Sequence, residues 1–189
     1  MRGALENVLG APLTDNQWKQ SSLPVSLTGL GLRSAVDHAP GAFLSSVAES
    51  SILVESITGG SAKFDIVAAF QMLRLKPEEQ YTIEDASSFK QRAISYKIDS
   101  RIFDEVLASA SDLRDKARLN SLSLAKAGAW LTVIPSKTLG LHLARKEFRV
   151  SVQYRLGLKV FGSKGPCVAC HYRESDQLAD HAIACDSTL

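Results

Sequence analysis

Cys167, Cys170, His181 and Cys185 spell C-x2-C-x10-H-x3-C and use all three cysteines of the chain. Zinc takes four soft or borderline ligands in a tetrahedron, and two cysteines separated by two residues form a tight turn that aims both thiolates at one point. His181 and Cys185 lie four apart, so one helical turn brings both to the same face. A competing reading is three buried free cysteines, packing as small hydrophobes, beside a surface histidine. A disulfide framework fits worse, because the cysteine count is odd and cysteine is scarce for a secreted scaffold. His171 follows Cys170 directly and competes as a ligand. It ranks below His181, because a residue adjacent to a ligand points away from the site its neighbour occupies. Both halves of the spacing agree with zinc, which is the cofactor expected.

No other group of residues assembles a catalytic constellation. The sequence has no G-x-S-x-G elbow, no H-E-x-x-H and no paired-aspartate polymerase motif. The glycine-punctuated run Leu27-Thr28-Gly29-Leu30-Gly31-Leu32 lacks the Lys-Ser/Thr pair and the spacing of a phosphate loop. Asp104-Glu105 and Glu78-Glu79 read as solvated carboxylates, and Glu84-Asp85 as first-turn charge favouring a helix dipole. His38, near Pro40, and His142, between two leucines, read as structural. The chain by itself is therefore expected not to be an enzyme.

Composition suits a globular protein, at 189 residues and 45% hydrophobic content. No apolar run reaches the roughly 20 residues of a membrane helix, and the N-terminus lacks a basic-then-apolar signal. An intracellular location, in cytoplasm or nucleus and away from membranes, is expected. The net charge of +2 hides an asymmetry: residues 1–136 hold 14 Lys/Arg against 15 Asp/Glu, whereas residues 137–173 hold eight basic residues and one acid, Glu147. The last sixteen residues return to −4. The basic stretch would attract a polyanion. Lys137, Arg145, Lys146, Arg149, Arg155 and Lys159 are the candidate phosphate contacts, with RNA or single-stranded DNA as partner. Phe148 and Tyr154 interleave with the arginines. Phe148, Val152 and Leu156, four apart, would at the same time form a stripe that docks on the core.

Periodicity predicts a mainly α fold with at most one or two short strands. A short helix is expected around Thr14–Gln20, capped by Thr14 or Asp15. In the loop of 27–32 the leucines are expected to be buried and the glycines to let backbone approach another element. Ser34 to about Ile57 reads as a helix kinked or divided at Pro40 and stopped by Gly59-Gly60. Further helices are expected over Lys63–Leu75 and from a Thr82/Asp85 cap through about Tyr96. A long amphipathic helix follows, with Ile98, Ile102, Val106, Ala110, Leu113 and Ala117 on one stripe and Asp104, Glu105, Asp112 and Arg114 facing away. Gly128–Pro135 reads as a short strand or a buried extended segment and is the best β candidate. The basic helix covers at least Arg145–Leu156. Met72, Trp18 and Trp130 are expected in the core. By this reading residues 1–136 form a helical region, 137–164 a basic helix and connector, and 165–189 a zinc knuckle.

Three stretches, taken in order, resemble a known arrangement. They are Gln20–Ala35 with its Leu-Pro-Val and Gly-Leu-Gly-Leu motifs, then Gly128-Ala129-Trp130-Leu131, then Cys167–Cys185 ending Asp180-His181-Ala182-Ile183-Ala184-Cys185. Together they resemble the region C-terminal to the reverse transcriptase domain in non-long-terminal-repeat retrotransposon proteins with a restriction-like endonuclease. The resemblance implies a thumb and linker followed by a CCHC knuckle. It places the polymerase aspartates before the first motif and the nuclease carboxylates after the knuckle, outside this sequence. It thus implies a fragment or degenerate copy that retains nucleic-acid-handling parts, with the polymerase and endonuclease domains as former neighbours. Ala179 stands where the family usually has glycine. The rival expectation is a zinc-stapled helical module that binds another protein, or an inert remnant.

Overall fold

A computed structural model describes residues 1–60, 63–73 and 90–186. Among them are eight α-helices: α1 Arg2–Leu9, α2 Asp15–Ser22, α3 Ala35–Thr58, α4 Ile66–Leu73, α5 Gln91–Ala108, α6 Leu113–Leu122, α7 Arg145–Arg155 and α8 Asp180–Ile183. Two 3-10 turns lie at Val25–Leu27 and Ala129–Leu131. The single sheet described is a short antiparallel hairpin, β1 Gly165–Pro166 and β2 Glu174–Ser175, with Gly165 opposite Ser175. The mainly α expectation holds. None of the helices described is long and apolar enough to cross a membrane.

The chain divides into two compact units, Met1–Gly31 with Glu105–Leu189, and Leu32–Asp104. These boundaries do not coincide with residues 136 and 164, where the sequence suggested divisions, because charge changes along the chain while compactness follows contacts distant in sequence.

In the first unit, α1 and α7 pack together around Leu9, Leu13, Val152, Leu156 and Leu158, with Leu5, Trp18, Leu30 and Trp130 closing the cluster. Burying such aliphatic side chains contributes roughly 1.5–3 kcal/mol each. The Gln153 amide donates to the Leu9 carbonyl at 2.9 Å, satisfying one of the acceptors left open at the end of α1. Helix α2 starts as expected. The Thr14 hydroxyl accepts from the Gln17 N–H, and the Gln17 side chain accepts from the Thr14 N–H, a full capping box. Beneath the following loop lies a buried polar hub. Arg155 donates to the carbonyls of Val25 at 2.7 Å and Gly29 at 3.1 Å, while Gln20 donates to those of Thr28 at 3.2 Å and Arg155 at 3.0 Å. Arg118 reaches the Gln20 side-chain oxygen at 3.2 Å and also donates to the Arg155 carbonyl. Gly29 lies so close to the Leu23 carbonyl oxygen that a Cβ there would stand 1.9 Å from it. The expected close backbone approach is therefore present, while Leu27, Leu30 and Leu32 are half-buried rather than buried.

In the second unit, α3 runs unbroken for 24 residues with Pro40 inside it and ends at Gly59 in the left-handed region. Pro40 does not divide the helix. Gly41 accommodates Ile94 and Ile98 of α5, and a Cβ there would stand 2.7 Å from Ile94. Leu44, Val47, Phe70 and Leu73 are buried.

Three sequence expectations change. Within Gly128–Pro135 the chain forms a 3-10 turn at Ala129–Leu131 and no strand, and residues 132–135 are exposed, since a short apolar run has no period that excludes a turn. The stripe of 98–117 breaks at Ala110–Asp112, where the Asp112 side chain accepts from the Asp115 N–H and caps a new helix; Leu113 is exposed. Met72 is exposed as well. Helix α1 was not foreseen. The capping box expected at Thr82/Asp85 lies outside the described residues.

Candidate metal centre

Residues 167–173 form the tip of the β1–β2 hairpin. The Cys167 N–H donates to the Arg173 carbonyl at 2.8 Å, and the His171 N–H returns to the Cys167 carbonyl at 2.9 Å. His171 takes a positive φ of 57° to close this turn. Gly165 and Pro166, just before the first ligand, form the first strand. Cys167 is buried, and the backbone N–H groups of Cys170 and Ala169 point at its sulfur, bringing its thiol down to about 6. Such N–H groups stabilise a thiolate, the form that binds a metal.

Opposite this turn, α8 presents His181, with Cys185 just beyond it. The Asp176 carboxylate holds the approach. It accepts from the N–H groups of Leu178 at 2.8 Å, Asp180 at 3.2 Å and His181 at 2.9 Å. Burial works against ionisation of Asp176, yet these donors together hold its carboxyl below the usual range. Ala179, where the resembled family has glycine, keeps the left-handed turn at φ 67°, a conformation that costs a side-chain-bearing residue roughly 1–2 kcal/mol. Asp180 is also gripped by Arg114 of α6, through Nη2–Oδ1 at 2.7 Å and a second Nε–Oδ2 contact.

The four ligand atoms all lie within 4.8 Å of one another. Cys167 Sγ and Cys185 Sγ stand 3.8 Å apart, and Cys170 Sγ lies 3.3 Å from His181 Nε2. Two thiolates at about 2.3 Å from one tetrahedral zinc stand about 3.8 Å apart. The set can hold a metal ion and is compatible with zinc. His171 is exposed and does not belong to the cluster.

The basic residues are divided by the fold. Lys137, Arg145, Lys146, Arg149 and Lys159 are exposed, and the Arg149 guanidinium rests against Gly10. Arg155, expected among the phosphate contacts, is only 1% exposed and spends its donors on backbone carbonyls. Burial and the neighbouring Arg118 hold its pKa below the usual arginine value. It braces the loop and cannot reach a ligand. Val152 and Leu156 are buried as the docking stripe required, while Phe148 is part exposed and meets Trp130 edge-on at 6.2 Å.

His38 has a structural setting too. Its Nε2 lies 3.2 Å from Asp99, whose buried carboxyl also meets Arg33 at 2.6 Å. Burial raises the Asp99 pKa, and Arg33 and His38 oppose the rise. Asp176, Arg114 and the outward tip residues were missed by sequence reasoning. The signal available for Asp176 was an acid four residues before Asp180, preceding a short helix. No protein-family model, curated protein or solved structure matches the chain.

Proposed function

We propose that this chain is a zinc-stapled nucleic-acid-binding module of a reverse transcriptase-like retroelement protein, without polymerase or nuclease chemistry of its own. Four convergent soft ligands carry the reading. They suit a single zinc, and zinc binding to a small unit is folding energy, roughly 10–16 kcal/mol in finger peptides. The order of the three resembling stretches supports the retroelement assignment. The nucleic-acid assignment is supported by exposed cations in a stretch with one acid: Lys137, Arg145, Lys146, Arg149 and Lys159. Glu147, that one acid, is occupied at the start of α7, where it accepts from the Ala144 N–H at 2.6 Å.

Five single-strand phosphate contacts give log affinity a slope of about −3.5 against log salt. Replacing Arg145, Lys146 and Arg149 together with Ala should flatten that slope by about two units. Fluorescence anisotropy with single-stranded RNA and DNA across a salt series is the test. Absence of binding at low salt, or an unchanged slope in the triple variant, overturns the nucleic-acid reading.

One observation favours a second reading. Leu139, Leu141, Leu143 and Val150 are exposed in the same stretch of sequence, and exposed apolar groups suit a protein partner where they form one patch. That reading gains if the triple variant loses nothing on nucleic acid.

A further inference from the structure

The turn that supplies two of the metal ligands also displays the most exposed large side chains of the metal unit. Tyr172 keeps 94% of its surface in solvent and Val168 88%. Neither contributes to the core, and aromatic surface left in water gains nothing for folding. Their position follows from the chemistry of the turn. Cys167 and Cys170 face the metal position, so the residues between and after them face outward. The turn is also pinned at its base by the Cys167–Arg173 hydrogen bond and at its apex by the His171–Cys167 bond. The backbone of such a turn is ordered before it meets a ligand, and binding does not have to supply that part of the ordering.

Charge selects the occupant. From Lys159 to Arg173 the chain carries Lys159, Lys164 and Arg173 and no acid. Of the four acids that follow, Asp176 is held by three backbone N–H groups and Asp180 by Arg114, leaving Glu174 and Asp186 exposed. An exposed aromatic in a stretch that also carries the exposed cations Lys164 and Arg173 matches a base and its flanking phosphates.

We propose that Tyr172, with Val168 beside it in the turn, is a stacking platform for an unpaired nucleobase of a single strand, with Lys164 and Arg173 receiving the flanking phosphates. A duplex base, stacked on both faces, would not fit. This rests on the nucleic-acid reading above and adds a base-contacting site to it, apart from the phosphate contacts along 137–159.

The test uses the zinc-loaded full chain with labelled oligothymidylate and a same-length strand of abasic residues, compared at low salt and then across a salt series. Base stacking on an aromatic side chain supports a difference of about tenfold. Tyr172→Ala should therefore weaken oligothymidylate binding about tenfold while keeping the salt slope and the zinc content. Tyr172→Phe should bind as the parent does. The parent should prefer oligothymidylate to the abasic strand about tenfold, and Tyr172→Ala should lose that preference. Equal binding of both strands by the parent, or an undiminished preference in Tyr172→Ala, overturns the platform while leaving the phosphate-binding reading standing. Failure of the parent to bind either strand overturns both.

Discussion

Arg155 separates a structural cation from a ligand-binding one, and replacing it with Ala should damage the fold rather than the affinity. Its two best hydrogen bonds run to the carbonyls of Val25 at 2.7 Å and Gly29 at 3.1 Å. Bonds from an ionised donor contribute about 1.5–3 kcal/mol each, so Arg155→Ala forfeits roughly 3–6 kcal/mol gross. Part of that is returned, because a buried cation beside Arg118 is desolvated at a cost, and removing it relieves the cost. A net loss of about 3 kcal/mol is expected, against a total stability of about 5–15 kcal/mol. Arg155→Lys should recover little, since an ammonium is a compact point charge without the planar fork of donors that spans both carbonyls. In urea, followed by tryptophan fluorescence, a slope of about 1–3 kcal/mol/M converts the loss into a midpoint lowered by roughly 1–3 M. Arg145→Ala, on the exposed side of α7, should move the midpoint by no more than about 0.5 kcal/mol equivalent. Nucleic-acid affinity should respond in the opposite pattern. The reasoning is refuted if Arg155→Ala unfolds with the parent, or if it flattens the salt slope while Arg145→Ala does not.

Gly29→Ala forces a Cβ to within 1.9 Å of the Leu23 carbonyl oxygen, so backbone must move and the loop should lose roughly 2 kcal/mol or more; a thermal melt checks it. Glu6 accepts from the Leu13 N–H and pairs with Arg2, and both hold its carboxyl below the usual glutamate range. A depressed folded-state pKa contributes stability above the unfolded value and loses it as pH falls through the folded value. Glu6→Gln should therefore show a shallower fall in Tm between neutral pH and pH 3. His171→Ala should leave the absorption of the cobalt-substituted protein unchanged, whereas His181→Ala should shift it; the reverse would exchange the ligands.

The metal set was legible because its information is local: two short spacings and a turn between them fix where the thiolates and the imidazole go. The cap at Thr14, offered beside Asp15, and the Gly59 stop were legible for the same reason. Arg155 was not, because its burial depends on carbonyls more than a hundred residues earlier in the chain, and no pattern within one helix distinguishes it from Arg149. The break at Ala110–Asp112 carried a readable signal, Asp112 three residues before Asp115, which the longer apolar stripe outweighed. For Gly128–Pro135, composition favoured a strand while no neighbouring strand pairs with it among the described residues. Helix α1 has Leu5 and Leu9 four apart and Gly10 as its left-handed cap, a pattern readable in the sequence but short.

The central claim is that Cys167, Cys170, His181 and Cys185 hold one zinc. Elemental analysis of the purified chain and of Cys170→Ser, each after dialysis against metal-free buffer, tests it directly. The account predicts one zinc per parent chain, and in Cys170→Ser a substoichiometric amount with loss of order in the tail. Stoichiometric zinc in Cys170→Ser, or a parent that folds fully and takes up no zinc when it is supplied, would contradict it.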